Sequence, residues 1–393
     1  MIDRGRFQRD ALLADASART GLRDFGTGID DWQDCLDALV ASTLDEAELR
    51  DVDAFRDFVL HHLANRLRIQ DCLVRFPEIH AQAVPRPLFI SGLPRAGTTT
   101  FSRLIGEDPR ARTLRLWELH SPAPTDLAHP WALTEDRLAA AERLVLARAR
   151  QGTLAIRPIS LFLADECFYL MRNSFDSDHL HRADARRPSY FRWLDRRDRA
   201  GTYAYYRTQL QLLLWQRGCP ADGQVVLKNP FVHLENLRTI FALFPDAIVL
   251  NLTRDIASVV ASLCFKNRAD RTARSVRVSA EDVGADMVEN LDVYYRRRAG
   301  ELAAISQRDR ILTIDFDAWA GDPVAIMRQV YARTGQPFDD TLARAMAAAL
   351  GRHARYGEQA RYDLAEFGLR ADALRERFAP HEAAFRAQTG VVA

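Results

Sequence analysis

The sequence predicts an α/β fold in three layers, a parallel sheet with helices on both faces. Two observations carry this. Four short apolar runs, Leu88–Leu93, Val225–Lys228, Ala247–Leu252 and Ile311–Phe316, are separated by helical periodicities. Near-continuous apolar strands alternating with amphipathic helices signal a parallel sheet covered on both sides. The first run also leads into a turn with two glycines and then a helix. That strand–loop–helix order builds a phosphate cradle, because backbone N–H groups converge there and the helix dipole favours an anion. The length of 393 residues suffices for one large domain with a substantial insertion.

The elements follow in chain order. Residues 1–85 form a helical N-terminal cap in this reading. Trp32, Leu36, Leu39 and Val40 share one helical face, and Phe55, Phe58, Val59, Leu63, Leu67 and Ile69 share another. Asp51 and Asp53 supply cap or first-turn anions for the second helix. The prolines of Val84-Pro85-Arg86-Pro87 break the chain, and an α/β domain is expected over 86–393. Leu88–Leu93 is the first strand, Gly92 to Gly97 the turn, and Thr98 to Ile105 the helix. The gap at about 120–222 is too long for a connection. Its aromatics, among them Phe162, Phe168, Tyr169, Tyr203 and Trp215, predict a mainly helical insertion covering the active site. Beyond it, Leu234, Leu237, Ile240, Phe241 and Phe244 make one apolar stripe, and Ile256, Val259, Val260 and Leu263 another.

Composition excludes several classes. A net charge of +1 gives no basic field for nucleic acid. No segment reaches the ~18 apolar residues of a membrane span. Met1 to Thr20 is charged throughout and lacks an apolar core, so no signal peptide is expected. Five scattered cysteines without a CxxC pair suit reduced thiols in a cytoplasmic protein and argue against a zinc site. Of 54 cationic residues only Lys228 and Lys266 are lysine. In a chain that otherwise uses arginine, a lysine marks a place where a compact point charge is needed.

The loop reads Gly-x-x-x-x-Gly-Thr-Thr. It is one residue from the nucleoside-triphosphatase loop, which has lysine after the second glycine. Thr98 stands there instead, and Arg95 supplies a cation within the loop. Such a loop holds a 5′-phosphate but is poorly equipped for metal-bridged γ-phosphoryl transfer. Lys228, Arg254 and Asp255 lie at or just past the carboxyl ends of later strands, where open parallel sheets bind ligands.

Pro-Arg-Ala-Gly-Thr-Thr closely resembles the 5′-phosphosulfate loop of the sulfotransferases. These enzymes move a sulfuryl group from 3′-phosphoadenosine-5′-phosphosulfate (PAPS) to an acceptor and release PAP. Leu-Thr-Arg-Asp-Ile-Ala-Ser-Val-Val-Ala-Ser resembles their 3′-phosphate motif, mapping onto Arg254 and Ser262. Lys228-Asn-Pro-Phe, followed by a helix ending Leu-Phe-Pro-Asp246, resembles the tyrosylprotein sulfotransferases and related bacterial enzymes. In that branch a basic residue follows the serine by four, which is Lys266. Ile311 to Pro323 resembles the late strand and acidic loop, and the segments near His353–Tyr362 and Phe367–Leu369 resemble the C-terminal part. The likeness spans roughly 85–380. It implies a P-loop-like fold, Arg95, Ala96, Gly97, Thr98, Thr99 and Thr100 around the phosphosulfate, and Arg254, Ser262 and Lys266 around the 3′-phosphate. Ala96 replaces the common serine.

Sulfuryl transfer needs donors on the flattened SO₃-like transition state, neutralisation of the leaving phosphate, and a base for the acceptor hydroxyl. Arg95, Thr98, Thr99 and Lys228 are the candidates for the first two. For the base, the tyrosylprotein branch points to Glu118, although a carboxylate beside an anchoring Trp117 can serve structure alone. His233 is the other candidate, but Pro230 stands where the cytosolic enzymes carry their histidine. Asp255 is read as orienting Arg254 or capping the next helix. The expected activity is PAPS-dependent transfer to a small-molecule hydroxyl, without metal. The aromatic insertion suggests a phenol, lipid or secondary metabolite, although such aromatics more commonly form the core of the insertion itself. Two other classes remain, a P-loop kinase-like phosphotransferase using Asp255 on Mg²⁺, and a non-catalytic nucleotide-binding module. Acceptor identity and oligomeric state are not encoded in any pattern found.

Overall fold

A computed structural model describes residues 3–150, 159–353 and 362–393. Its centre is one six-stranded sheet: β1 (Leu88–Gly92), β2 (Ala111–Thr113), β3 (Gln224–Lys228), β4 (Ile248–Thr253), β5 (Ile311–Asp315) and β6 (Gly390–Val392). The order is β2-β3-β1-β4-β5-β6 and every pairing is parallel. The four expected strands form within one or two residues of their predicted ends. β1 and β3 are buried along their whole length, as their unbroken apolar runs require. β2 and β6 were not foreseen. Each has three residues, and Ala-Arg-Thr carries no apolar run to announce it.

The topology creates the ligand crevice. From β1 the chain moves toward the β2 edge, whereas from β4 it moves toward the β6 edge. Adjacent strands whose connections diverge leave a cleft beyond their carboxyl ends. β1 and β4 run in register from Leu88↔Ile248 to Gly92↔Leu252. Gly92 has φ +98, and a Cβ there would lie 2.2 Å from the Leu252 carbonyl oxygen. Only glycine lets the two strands close at this point.

Three helices precede the sheet: α1 (Arg9–Thr20), α2 (Trp32–Glu46) and α3 (Val52–Arg75). Asp51 caps α3, accepting from Ala54 N at 2.8 Å. Trp32, Leu36, Leu39, Leu63 and Leu67 pack with Phe175, Tyr190 and Leu194 of the insertion. Arg66 and Asp30 form a buried ion pair at 2.9 Å, and Arg66 also donates to the Asn173 carbonyl at 3.0 Å. The cap therefore shares its core with the insertion.

The insertion is mainly helical, with helices at Glu135–Arg150, Pro188–Asp195 and Ala200–Arg217. Most of its aromatics are core. Tyr190, Tyr203, Tyr205 and Tyr206 are buried, whereas Trp131 and Phe162 are exposed. Among the described residues of the insertion, Phe168 is the one Phe, Tyr or Trp that lines the cavity described below.

Candidate active site

The site starts at the loop between β1 and α4 (Thr98–Ile105). Arg95 at φ 67 and Gly97 at φ 84 are both left-handed. Alternating left-handed residues turn successive N–H groups toward one concavity, at the positive end of α4. Gly97 is the N-cap of α4 and offers no side chain to its first N–H groups. A Cβ at Gly97 would lie 2.9 Å from Trp319 Nε1. Arg95 adopts a conformation that is costly for a non-glycine residue. Two bonds hold it: its Nε donates to Ser262 Oγ at 3.0 Å, and Arg254 Nη1 donates to its carbonyl at 3.0 Å. Ala96 and Thr98 are buried beneath.

Arg254, Ser262 and the loop thus meet across the β1/β4 cleft. The Arg254 guanidinium also lies 4.1 Å over the Phe316 ring. Asp255 caps the helix Ile256–Arg274 through Ser258 N at 3.0 Å and pairs with Arg375 at 2.8 Å. The Arg375 hydrogen bond, helped by Ser258, holds its carboxyl down at about 2. Its commitments are structural.

Both lysines reach the site. Lys228, at the end of β3, is buried; its Nζ donates to Thr99 Oγ1 at 3.0 Å and lies 3.4 Å from Glu166 Oε1. Lys266 Nζ donates to Asp270 Oδ2 at 2.7 Å, one helical turn on. Burial alone would raise the Asp270 carboxyl, but Lys266 and Arg148 outweigh it and keep it below its ordinary value.

A cavity opens beside these groups. Arg95, Thr98, Thr99 and Lys266 line it, with Glu166. Its apolar wall includes Phe168, Phe231, Val232, Leu263 and Met287. Phe231 takes φ 65, and its N–H donates to the Gly92 carbonyl at 2.9 Å. His179 lies in the wall, stacked on Phe168 at 4.1 Å, and burial pushes it down to about 3.

Glu166 is the residue that the sequence reading missed. Cys167 N–H donates to the Lys228 carbonyl at 2.8 Å. That one backbone bond docks the insertion against the end of β3 and sets Glu166 beside Lys228. No spacing along the chain encodes it.

Glu118 lies elsewhere. It is buried, with Arg112 Nη2 donating to Oε1 at 2.6 Å and Nη1 to Oε2 at 3.1 Å, and it accepts from Arg115 N at 2.8 Å. These bonds fasten β2 to the short helix Leu116–His120. Glu118 is not among the residues lining the cavity. His233 is fully buried behind the wall. Its Nε2 is 3.3 Å from Cys167 Sγ and its Nδ1 3.0 Å from the Tyr203 hydroxyl. Burial lowers it to about 3. Of the C-terminal segment singled out in the sequence, residues 354–361 lie outside the described residues, and the Tyr362 ring sits 4.9 Å from Phe265.

Residues 87–340 match the model of the Sulfotransferase family. Sulfotransferase STF1 of Mycobacterium tuberculosis is similar in structure, with a TM-score of 0.78 and 29% identity over 95% of this chain and 98% of that one. Sulfotransferase STF9 of Mycobacterium avium has a TM-score of 0.79 over 98% of each chain at 22% identity, a likeness of fold. No curated protein matches the sequence.

Proposed function

The chain belongs to the sulfotransferase family, and from that premise we propose that it transfers a sulfuryl group from PAPS to a hydroxyl of a small apolar or aromatic acceptor. The observation that carries this reading is Lys228, whose Nζ touches Thr99 of the phosphate loop on one side and Glu166 of the cavity on the other. One cation thus joins the donor cradle to the acceptor space.

The loop fits the donor. Its two left-handed turns and the missing side chains at Gly92 and Gly97 leave room for close backbone approach. The N–H groups of Ala96, Gly97, Thr98, Thr99 and Thr100 would hold the 5′-phosphosulfate, with Arg95 and Lys228 as cations. Arg254 and Ser262, already gathered on Arg95, and Lys266 would hold the 3′-phosphate.

The chemical step is a displacement at sulfur. Glu166 takes the proton of the acceptor hydroxyl, the hydroxyl oxygen bonds to sulfur, and the bond from sulfur to the 5′-phosphate oxygen breaks. PAP leaves with the bonding electrons, and Lys228 meets that growing charge. The base role moves from Glu118 and His233 to Glu166 because, of these three, Glu166 alone lines the cavity, and the other carboxylate there, Asp178, is paired with Arg182 at 2.9 Å. His179 also lines it, but a ring held at about 3 is a weak base. A phosphotransferase is disfavoured by Thr98 in the lysine position and by the ties of Asp255 to Arg375 and Ser258. A non-catalytic module is disfavoured by a carboxylate set beside a cation in the cavity. No helix among the described residues is long and apolar enough to cross a membrane, and the five cysteines are free. We read the enzyme as cytoplasmic.

Titration calorimetry in EDTA is the test, followed by labelled PAPS with a panel of phenols and alcohols. PAP binding without metal and label transfer to an acceptor are expected. Tight binding of ATP–Mg²⁺ with none of PAP would overturn the reading.

A further inference from the structure

Asn290 lies on the helix Ala280–Ala303 and lines the same cavity together with Met287, one turn before it. It is 2% exposed, and its Oδ1 is buried with no hydrogen-bond partner among the described residues. Buried amides are normally satisfied, because an unmade bond costs the full desolvation of the group. Its neighbours in the wall do not help: Met287 is a weak acceptor at best and Phe231 offers nothing. This helix contributes only these two residues to the cavity. The cavity lining, which also holds the ion-paired Asp178 and Arg182, therefore carries one buried amide oxygen without a partner.

We propose that Asn290 is a specificity-determining residue that hydrogen-bonds a second hydroxyl of the acceptor, which makes the acceptor class an apolar or aromatic body with two hydroxyls. The proposal rests on the sulfotransferase reading: one hydroxyl reacts beside Glu166 and the other is held by Asn290. A hydroxyl suits the position because it both donates and accepts, so it satisfies the carbonyl and the amino end of an amide. A carboxylate would leave Oδ1 unsatisfied, and an ammonium would leave the amino group unsatisfied.

The test uses the full chain saturated with PAP and a ladder of para-linked diphenols of increasing length. Each is paired with its monophenol: hydroquinone with phenol, dihydroxybiphenyl with hydroxybiphenyl, dihydroxystilbene with hydroxystilbene. Calorimetry should show at least one diphenol binding about 10- to 100-fold more tightly than its monophenol. Asn290→Leu should abolish that preference while monophenol and PAP binding stay unchanged. Asn290→Ala serves the same purpose should the leucine variant lose PAP binding. The proposal is overturned if no diphenol is preferred, if none of the phenols binds, or if the preference survives both variants. PAP binding by the wild-type protein is scored separately, so failure of the donor reading is distinguished from failure of this one.

Discussion

At the residue scale, Glu166 and Glu118 are two acidic residues with opposite surroundings. Glu166 sits 3.4 Å from Lys228 in the cavity, and Glu118 is locked to Arg112 and the Arg115 amide. Glu166→Gln should lower kcat by about 10²- to 10⁴-fold, leave PAP affinity nearly intact and flatten the acidic limb of the pH–rate profile. Glu118→Gln should leave kcat of the folded enzyme near wild type. It should destabilise the fold by about 1–3 kcal/mol, since the half-buried Arg112 loses its counter-charge. Steady-state kinetics and denaturant melts on both variants decide between them, and an active Glu166→Gln enzyme would show that Glu166 is not the base. Arg254→Ala should weaken PAP more than adenosine-5′-phosphosulfate, by about 1.5–3 kcal/mol, because only PAP carries the 3′-phosphate assigned to it. Equal losses for the two nucleotides would show that Arg254 only props the Arg95 carbonyl. The motif Leu116-Trp-Glu-Leu119 held the clue to Glu118. A glutamate three residues after a helix N-cap is placed to bond back to that cap's N–H, and the Arg115–Glu118 capping box does so. Glu166 had no such clue, since its position depends on a contact across sixty residues of chain.

At the element scale, β1, its loop and α4 were legible because local rules act within a few residues there. The apolar run, the two glycines and the helix start agree with one another. β2 and β6 were not legible, since three-residue edge strands are defined by their neighbours. Ala111–Thr113 is a strand only because β3 pairs with it, and Gly390–Val392 because β5 does. The same neighbour dependence makes Gly92 sensitive. Gly92→Ala puts a methyl 2.2 Å from the Leu252 carbonyl oxygen and 2.6 Å from Leu252 N, at a φ that side chains rarely adopt. Neither backbone atom can move without breaking the β1–β4 ladder. The substitution should cost roughly 3–5 kcal/mol, at the far end of single-residue effects, and abolish PAP binding. A soluble Gly92→Ala protein with wild-type melting and PAP affinity would show that the cleft is wider than described.

At the scale of the whole molecule, the buried histidines set the pH range of the fold. His62, His120, His181 and His233 are all buried. Burial lowers His233 from its ordinary 6.5 to about 3. Burial first, and then neighbouring His61 or Arg271, hold the other three well below the same value. In the unfolded chain each takes a proton near pH 6.5, whereas in the folded protein it stays neutral far below that. Below pH 6.5 the unfolded state therefore binds more protons, and stability rises with pH. The contribution is fully present above 6.5 and is lost as pH falls toward the folded values. One unit below the unfolded value, each histidine costs about 1.4 kcal/mol. Four together approach the 5–15 kcal/mol that typically holds a domain. Asp255 acts later: held at about 2 by Arg375, it gives up its share only as pH falls from 3.8 toward 2. The melting temperature should thus drop steeply between about pH 7 and 5, before Asp255 titrates. His233→Gln should reduce the proton uptake on unfolding at pH 5.5 by about one, at some loss of absolute stability from the Tyr203 and Cys167 contacts. Thermal melts across that range, with uptake read from the pH dependence of unfolding, test both statements. A flat melting temperature from pH 7 to 5.5 would mean that water reaches these rings.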